Sequence, residues 1–275
     1  MDIRVADQSA YVYTGGKSPA VDRIAAQPVM VFIHGAQQDH SCWTLQSRWF
    51  AHHGFSILVP DLPGHGRSGG APLASIEAMA DWIVALLDAV GVTRASLVGH
   101  SMGSLVAIEA AARHPQRVAK IALIGSALPM PVAEPLLDAA WHDEPKAVAM
   151  INNFSYSASG QFGRNTVPGL WLLGVNQRLM ERQRPGVFGT DMAACNAYAR
   201  SLDGLATIAA PVLVIAGGQD RMTPPESVQG HRRCNPGRPP DRHCRQRPRP
   251  DGRSAGCRAR QPHRFHPLSA ACRDG

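Results

Sequence analysis

The stretch "LVGHSMGS", Leu97 to Ser104, has the form Gly-x-Ser-x-Gly, from Gly99 through Ser101 to Gly103. So short a pattern is weak by itself. Here it closes the β-rich run "RASLVGHS" (94–101) and opens the helical pattern "MGSLVAIEAAARHP" (102–115), which is the context it needs. A serine on a very tight strand-to-helix turn crowds the backbone two residues to either side, so glycine is needed at both places. The turn pushes the hydroxyl out over the sheet edge, above the free N–H groups and positive end of the next helix. Gly99, His100 and Gly103 therefore form a candidate elbow around a candidate nucleophile, Ser101. The competing reading is a Gly-rich turn with an exposed serine.

Four other runs resemble the strand before the elbow: "PVMVFIHG" (28–35), "FSILVPD" (55–61), "RVAKIALIG" (117–125) and "APVLVIAGGQD" (210–220). Near-continuous apolar strands suit a sheet covered on both faces. Helical patterns lie between them. In "SIEAMADWIVALLDAV" (75–90), Ile76, Met79, Ala80, Ile83, Leu87 and Val90 recur at helix spacing, and Ser75 can cap the start. Alternating strands and helices predict an α/β fold with a mostly parallel, doubly wound sheet.

The rhythm breaks between 129 and 205. "LPMPVAEP" (128–135) opens a region of four patchy helical stretches, near 132–141, 143–152, 170–182 and 190–203. They are either ordinary helices on the sheet or a helical cap over the strand ends, where α/β sheets bind ligands. In the cap reading, Trp141, Met150, Phe154 and Trp171 are candidate substrate-pocket residues.

Three further motifs surround the elbow. In "FIHGAQQ" (32–38), His34-Gly35 ends a strand, and the Ala36 N–H can point at the nucleophile. With the Met102 N–H it would make a two-donor oxyanion hole. His34 reads as a hydrogen-bonder that shapes the loop. In "DLPGHGRSG" (61–69), Asp61, His65 and Arg67 read as a loop-stabilising network rather than a charged site. In "VLVIAGGQDRMTPPE" (212–226), Asp220 falls just past a strand end, before a proline-led capping box at 223–226. An acid there can orient a histidine and stabilise its charged form, or simply cap a loop.

Together "HGA", "DLPGHGRSG", "GHSMGS" and "PVLVIAGGQDRMTPP" resemble the α/β-hydrolase family, in its cap-bearing, bacterial esterase-like branch, across residues 28 to 227. The resemblance implies Ser101 as nucleophile, Asp220 as triad acid, and the Ala36 and Met102 N–H groups as oxyanion donors. It implies hydrolysis of a small carboxylic ester, thioester or lactone through an acyl-enzyme, without cofactor or metal. The same triad serves C–C bond hydrolysis of a dienoate-type diketone. Serine rather than aspartate at 101 argues against dehalogenase or epoxide hydrolase chemistry. The family order is serine, acid, then a histidine after a final strand, about 25–30 residues beyond the acid.

That histidine is where the pattern fails. After Asp220 come only His231, His243, His263 and His266, none behind a strand-like run; His243 is a weak candidate. The tail 231–275 holds 12 of the 28 basic residues, all Arg, only three of the 21 acidic ones, and four of the six cysteines. The rest of the chain is near neutral, with Cys42 and Cys195 alone, as suits a reduced, cytoplasmic protein. The N-terminus shows no signal peptide, and no apolar run is long enough to span a membrane.

Three readings compete for the tail. A nucleic-acid-binding arm fits poorly, because it has no Lys and one aromatic, Phe265. A metal site fits poorly, because Cys234 and Cys244 are too far apart for a zinc knuckle. The third is a shifted reading frame, and the genetic code tests it. Joining each codon's last two bases to the next codon's first base turns Asn235, Asp241, His243, His263 and His266 into Ile or Thr. Cys234, Cys244 and Cys257 become Ala or Val, and Asp251 becomes Met or Thr. A β-strand thus appears at 241–244, and a histidine is permitted at 248, 28 residues after Asp220. The expected organisation is hydrolase core at 1–128, helical cap at 129–205, the core's last strand region at 206–230, and an out-of-frame or disordered tail at 231–275. The family's final strand and helix are missing. The chain as written is then an impaired hydrolase or a non-catalytic, ligand-binding remnant. A small ester-like substrate is its one expected partner.

Overall fold

The computed structural model describes residues 1–161, 169–200 and 208–224. His243, the rest of the tail, and Pro225 and Glu226 of the expected capping box lie outside the described residues.

Seven strands form one sheet in the order β1-β2-β4-β3-β5-β6-β7. β3 (Val29–Ile33), β4 (Ser56–Pro60), β5 (Ala95–His100), β6 (Val118–Ile124) and β7 (Val212–Ile215) run parallel to one another. They are the five apolar runs of the sequence. The sheet also has a hairpin that the hydrophobic runs do not reveal. β1 (Asp2–Val5) and β2 (Gln8–Tyr13) turn at Ala6 and Asp7, both at positive φ, and β2 adds antiparallel to β4. Its strands are short and polar on one side, so only the alternately buried Val5, Ala10 and Val12 mark them.

β3 shows why these runs are apolar throughout. Its five residues are all buried, and successive side chains enter opposite faces of the sheet. Val29, Val31 and Ile33 join the large core under α2 (Ile76–Ala89) and α3 (Met102–Arg113). Met30 and Phe32 join a smaller core with Trp43 and Ala51, beneath α1 (Thr44–Ala51). Each fully buried aliphatic side chain contributes about 1.5–3 kcal/mol. Ser75 caps α2 by accepting a hydrogen bond from the Ala78 N–H at 3.2 Å, and α3 stops two residues before Pro115.

Between β6 and β7 lie α4 (Glu134–His142), α5 (Glu144–Ser155), α6 (Ala158–Gln161), α7 (Leu172–Glu181) and α8 (Val187–Ala197). Prolines at the first turns of α4 and α5 place a residue without an N–H where that donor has no intrahelical partner. No helix among the described residues is long and apolar enough to cross a membrane.

Candidate active site

Ser101 links β5 to α3 at φ 51° and ψ −120°, a backbone state that L-residues rarely adopt. Holding a residue there costs about 1–3 kcal/mol, and such strain points toward function. The two glycines leave the turn its room. A Cβ on Gly99 would stand 2.1 Å from the Gly103 carbonyl oxygen, and one on Gly103 would stand 2.4 Å from that of Ile33. The Ser101 N–H donates to Ile124 O at 3.0 Å, tying the turn to β6. Its carbonyl accepts the Ser104 N–H at 2.8 Å and lies 2.5 Å from Ser104 Oγ. Both Ser101 backbone groups are thereby engaged, and among the described residues its Oγ has no hydrogen-bond partner.

The same close approach brings the β3 loop against the start of α3. Met102 is the first residue of α3, where backbone N–H groups have no partner within the helix. Ala36 lies three residues beyond Ile33, and is nearly buried. Around it, His34 Nε2 accepts the Leu62 N–H at 3.1 Å, so Nδ1 carries the proton and donates to Gly35 O at 2.9 Å. Burial and the neighbouring His65 push its pKa down to about 4. His34 is thus a neutral loop fastener.

The loop after β4 is knitted to its neighbours by backbone contacts. Asp61 accepts the His40 N–H at 2.7 Å, the Arg67 N–H at 2.9 Å and the His40 imidazole at 2.8 Å. Ser68 Oγ donates to Asp61 O at 2.6 Å and accepts the Tyr11 N–H at 2.9 Å. Arg67 instead lies over the Tyr11 ring, 3.7 Å from its centroid. Asp39, His40 and Asp61 bring three potential metal-ligating atoms within 4.8 Å of one another. That cluster does not fit a cation, because the Arg182 guanidinium already occupies the Asp39 carboxylate, Nε to Oδ2 at 2.8 Å.

Asp220 follows β7 on the far side of the elbow. Its carboxylate accepts the Met222 and Thr223 N–H groups at 2.9 and 3.0 Å and the Thr223 hydroxyl at 2.7 Å. A Cβ added to Gly125 would meet Thr223 Oγ1 at 3.3 Å and the His100 ring at 3.5 Å, so the acid loop adjoins the elbow. Burial lowers the pKa of His100, and the charge of Asp220 partly opposes that shift. Among the described residues no imidazole bonds both Asp220 and Ser101.

The four aromatic and sulfur side chains singled out between 129 and 205 divide into two pairs. Met150 and Phe154 on α5 are half-buried, and Arg221, next to Asp220, sits 5.0 Å from the Phe154 ring centroid. Trp141 packs against Gly189 and Trp171 against Gly174, and both keep about half their surface in solvent. Trp141 covers a glycine of α8 and Trp171 one in the first turn of α7, and neither ring is enclosed.

Sequence reading missed the charged residues that join this helical region to the strand-end loops and to α3. Asp191 on α8 is fully buried and accepts the Gln37 N–H at 2.8 Å and His65 Nε2 at 2.9 Å. Asp39 takes Arg182, and also Gln183 Nε2 at 3.0 Å, beyond the end of α7. Burial raises the Asp39 pKa, but hydrogen bonds from Arg182 and Ser41 outweigh it and hold it below the usual range. Glu109 on α3 accepts Tyr198 Oη at 2.8 Å and Arg200 Nε at 2.6 Å. Partners this far apart in sequence leave no local signature.

The chain belongs to the alpha/beta hydrolase fold family, whose profile matches residues 28–233. It is 34% identical over 185 residues to a 2-hydroxymuconate semialdehyde hydrolase of Pseudomonas sp. (strain CF600), covering 61% of each chain. It is 32% identical over 184 residues to a pimeloyl-[acyl-carrier protein] methyl ester esterase of Neisseria meningitidis, covering 62% of this chain and 66% of that one. It spans only 26% to 52% of the length of three other curated relatives. The fold matches the crystal structure of the enol-lactonase from Burkholderia xenovorans LB400 with a TM-score of 0.73, at 21% identity over 85% of this chain and 87% of that one.

Proposed function

We propose that this chain carries the machinery of a serine hydrolase for a small carboxylic ester, thioester or lactone. The observation that carries the reading is the strained backbone of Ser101 at the β5–α3 turn, held between two glycines that admit no side chain. Ser101 Oγ attacks the substrate carbonyl and passes its proton to a histidine base. The developing oxyanion is received by the Ala36 and Met102 N–H groups. Collapse of that intermediate expels the alcohol, which takes the proton, and leaves an acyl-enzyme. Water, deprotonated by the same base, then releases the acid. Asp220 orients the base and stabilises its charged form. Phe154, beside the Asp220 loop, and Met150, one turn before it on α5, are the proposed substrate contacts.

A second reading, C–C bond hydrolysis of a dienoate-type diketone by the same residues, is supported by the likeness to the semialdehyde hydrolase.

Among the described residues no imidazole bonds both Ser101 and Asp220, so none of them is assigned as the base. We propose that the reading frame shifts near codons 228–231, and that the proper frame restores a strand and a histidine at position 248. His243 is the candidate if the present frame is native. Losing the triad base costs on the order of a million-fold in turnover. The test measures p-nitrophenyl butyrate hydrolysis by the present chain, its one-base-corrected form, and Ser101→Ala in each. The corrected chain is expected to turn over at least about a thousand-fold faster than the present one, with all activity lost in Ser101→Ala. A corrected chain that melts cooperatively yet shows no Ser101-dependent hydrolysis of esters or dienoates overturns the proposal. Efficient turnover by the present chain overturns the frame account alone.

A further inference from the structure

Ala36 sits between two peptide groups that side chains hold, the first of them also closed by the loop's own Gln38 N–H, which reaches Gly35 O at 3.3 Å. The Gly35 carbonyl belongs to the same trans peptide as the Ala36 N–H and points the opposite way. His34 Nδ1 holds that carbonyl at 2.9 Å, which turns the Ala36 N–H away from His34. The next N–H, that of Gln37, is held at 2.8 Å by Asp191 of α8, 154 residues along the chain. Gln37 is itself at φ 55°, in a turn that the Gln38 N–H closes onto Gly35 O, and Asp191 takes the Gln37 N–H that the turn itself leaves unpaired.

Asp191 is held in turn. The same oxygen, Oδ2, meets His65 Nε2 at 2.9 Å, while His65 Nδ1 meets Pro63 O at 3.0 Å. Both ring nitrogens face acceptors, so both carry protons and the ring is an imidazolium. Burial alone would lower the His65 pKa, but the Asp191 charge and hydrogen bond raise it above its ordinary value. The other carboxylate oxygen, Oδ1, is buried with no hydrogen-bond partner. An ion pair buried with an orphaned oxygen is a poor device for stability, since well-packed apolar groups often do as well or better. What it supplies here is direction.

We propose that Asp191 is a positioning residue for catalysis, which reaches from α8 to fix the Gln37 peptide and thereby aims the Ala36 N–H at the oxyanion. The inference rests on the Ser101 and Ala36 roles proposed above. α8 therefore completes the oxyanion hole as well as packing beside it. The helical region acts on kcat through this residue, whereas a substrate contact such as Phe154 acts on binding.

The probe is ethyl 4-nitrophenyl butylphosphonate, which needs no turnover. Ser101 Oγ bonds to phosphorus, 4-nitrophenolate leaves with the bonding pair, and the hydroxyl proton goes to solvent. The oxyanion hole assists even where the base is absent. Labelling of the full chain, in its present and its frame-corrected form, is followed by released nitrophenolate and by the mass of the Ser101 peptide. Losing one oxyanion donor costs about 100- to 1000-fold in rate. Asp191→Leu is expected to slow the limiting rate about 30- to 100-fold with half-saturation within twofold. Asp191→Asn, which still offers an oxygen to Gln37, should recover most of that rate. A folded Asp191→Leu that labels within threefold of the parent overturns the proposal, as does an effect confined to half-saturation.

If Asp191→Leu does not fold, the parent chain carries the test. A strongly downfield Gln37 amide proton that moves upfield in Asp191→Asn supports the contact, and an unshifted one overturns it. A frame-corrected chain that does not label at Ser101, or Ser101→Ala labelling equally, overturns the Ser101 reading, whereas failure of the present chain alone reports its missing base. That failure is distinct from a variant effect that is merely absent.

Discussion

Gly103 and Ile33 meet backbone to backbone, with room for no Cβ: one added at Gly103 would lie 2.4 Å from the Ile33 carbonyl oxygen. This contact sets the first turn of α3 against the end of β3 and so brings the nucleophile turn beside the Ala36 loop. Neither partner is the flexible end of a side chain, so nothing can give cheaply. Gly103→Ala is expected to destabilise the protein by about 3 kcal/mol, at the upper end of overpacking costs. Urea unfolding of the two proteins measures it, and a loss below about 0.5 kcal/mol would contradict the contact.

Arg182 and Asp39 make the second clamp between the helical region and the β3 loop. Asp39 is buried, but Arg182 is about half exposed, so solvent weakens the pair. Arg182→Ala leaves Gln183 and the Ser41 N–H on the carboxylate. The expected loss is about 1–2 kcal/mol, less than for a fully buried pair. Limited proteolysis should cut between 129 and 205 sooner in the variant than in the parent. Unchanged cleavage there would show that the clamp is redundant.

The buried histidines set opposite limits on stability with pH. His34 is depressed to about 4, from an ordinary value of 6.5. The unfolded chain therefore takes up its proton first, and stability falls as pH drops from about 6.5 toward 4, by at most about 3 kcal/mol. His100, also depressed by burial, acts in the same direction. His65 is raised, so its contribution is complete below about 6.5 and is lost as pH rises through its higher folded value. Unfolding free energies at pH 4.5, 6.5 and 8.5 should peak at the middle value. His34→Asn should flatten the acid limb and leave the alkaline limb in place. An acid limb unchanged in that variant would assign it to other groups.

Leu213 and Ile215 stand on one face of β7 with nearly half their surface exposed, and β7 is the last strand among the described residues. An apolar strand at a sheet edge is a template for pairing with another chain. Leu213→Lys with Ile215→Lys is expected to raise the monomeric fraction in size-exclusion chromatography, with a melting temperature within about 3 °C of the parent. A parent chain that already elutes as a monomer at high concentration would remove the basis for this.

The five parallel strands, the Ser75 cap and the glycine–serine elbow were legible in the sequence because each is a local event. An apolar run buried on both faces, an oxygen three residues before an N–H, and a turn too tight for a Cβ all leave their mark within about eight residues. The β1–β2 hairpin was not legible, because a short edge strand buries only every second side chain. The genetic code likewise let the sequence alone raise the question of the reading frame. Tertiary structure decided everything that spans the chain. Only folding brings Asp191 to Gln37 and His65, Arg182 to Asp39, and Arg200 to Glu109, across separations of 91 to 154 residues. It also decided that Phe154 adjoins the Asp220 loop while Trp141 covers Gly189 of α8 and Trp171 covers Gly174 of α7. A buried charge is tolerable only where a partner waits for it, and that partner is chosen by packing geometry, which no stretch of neighbouring residues encodes.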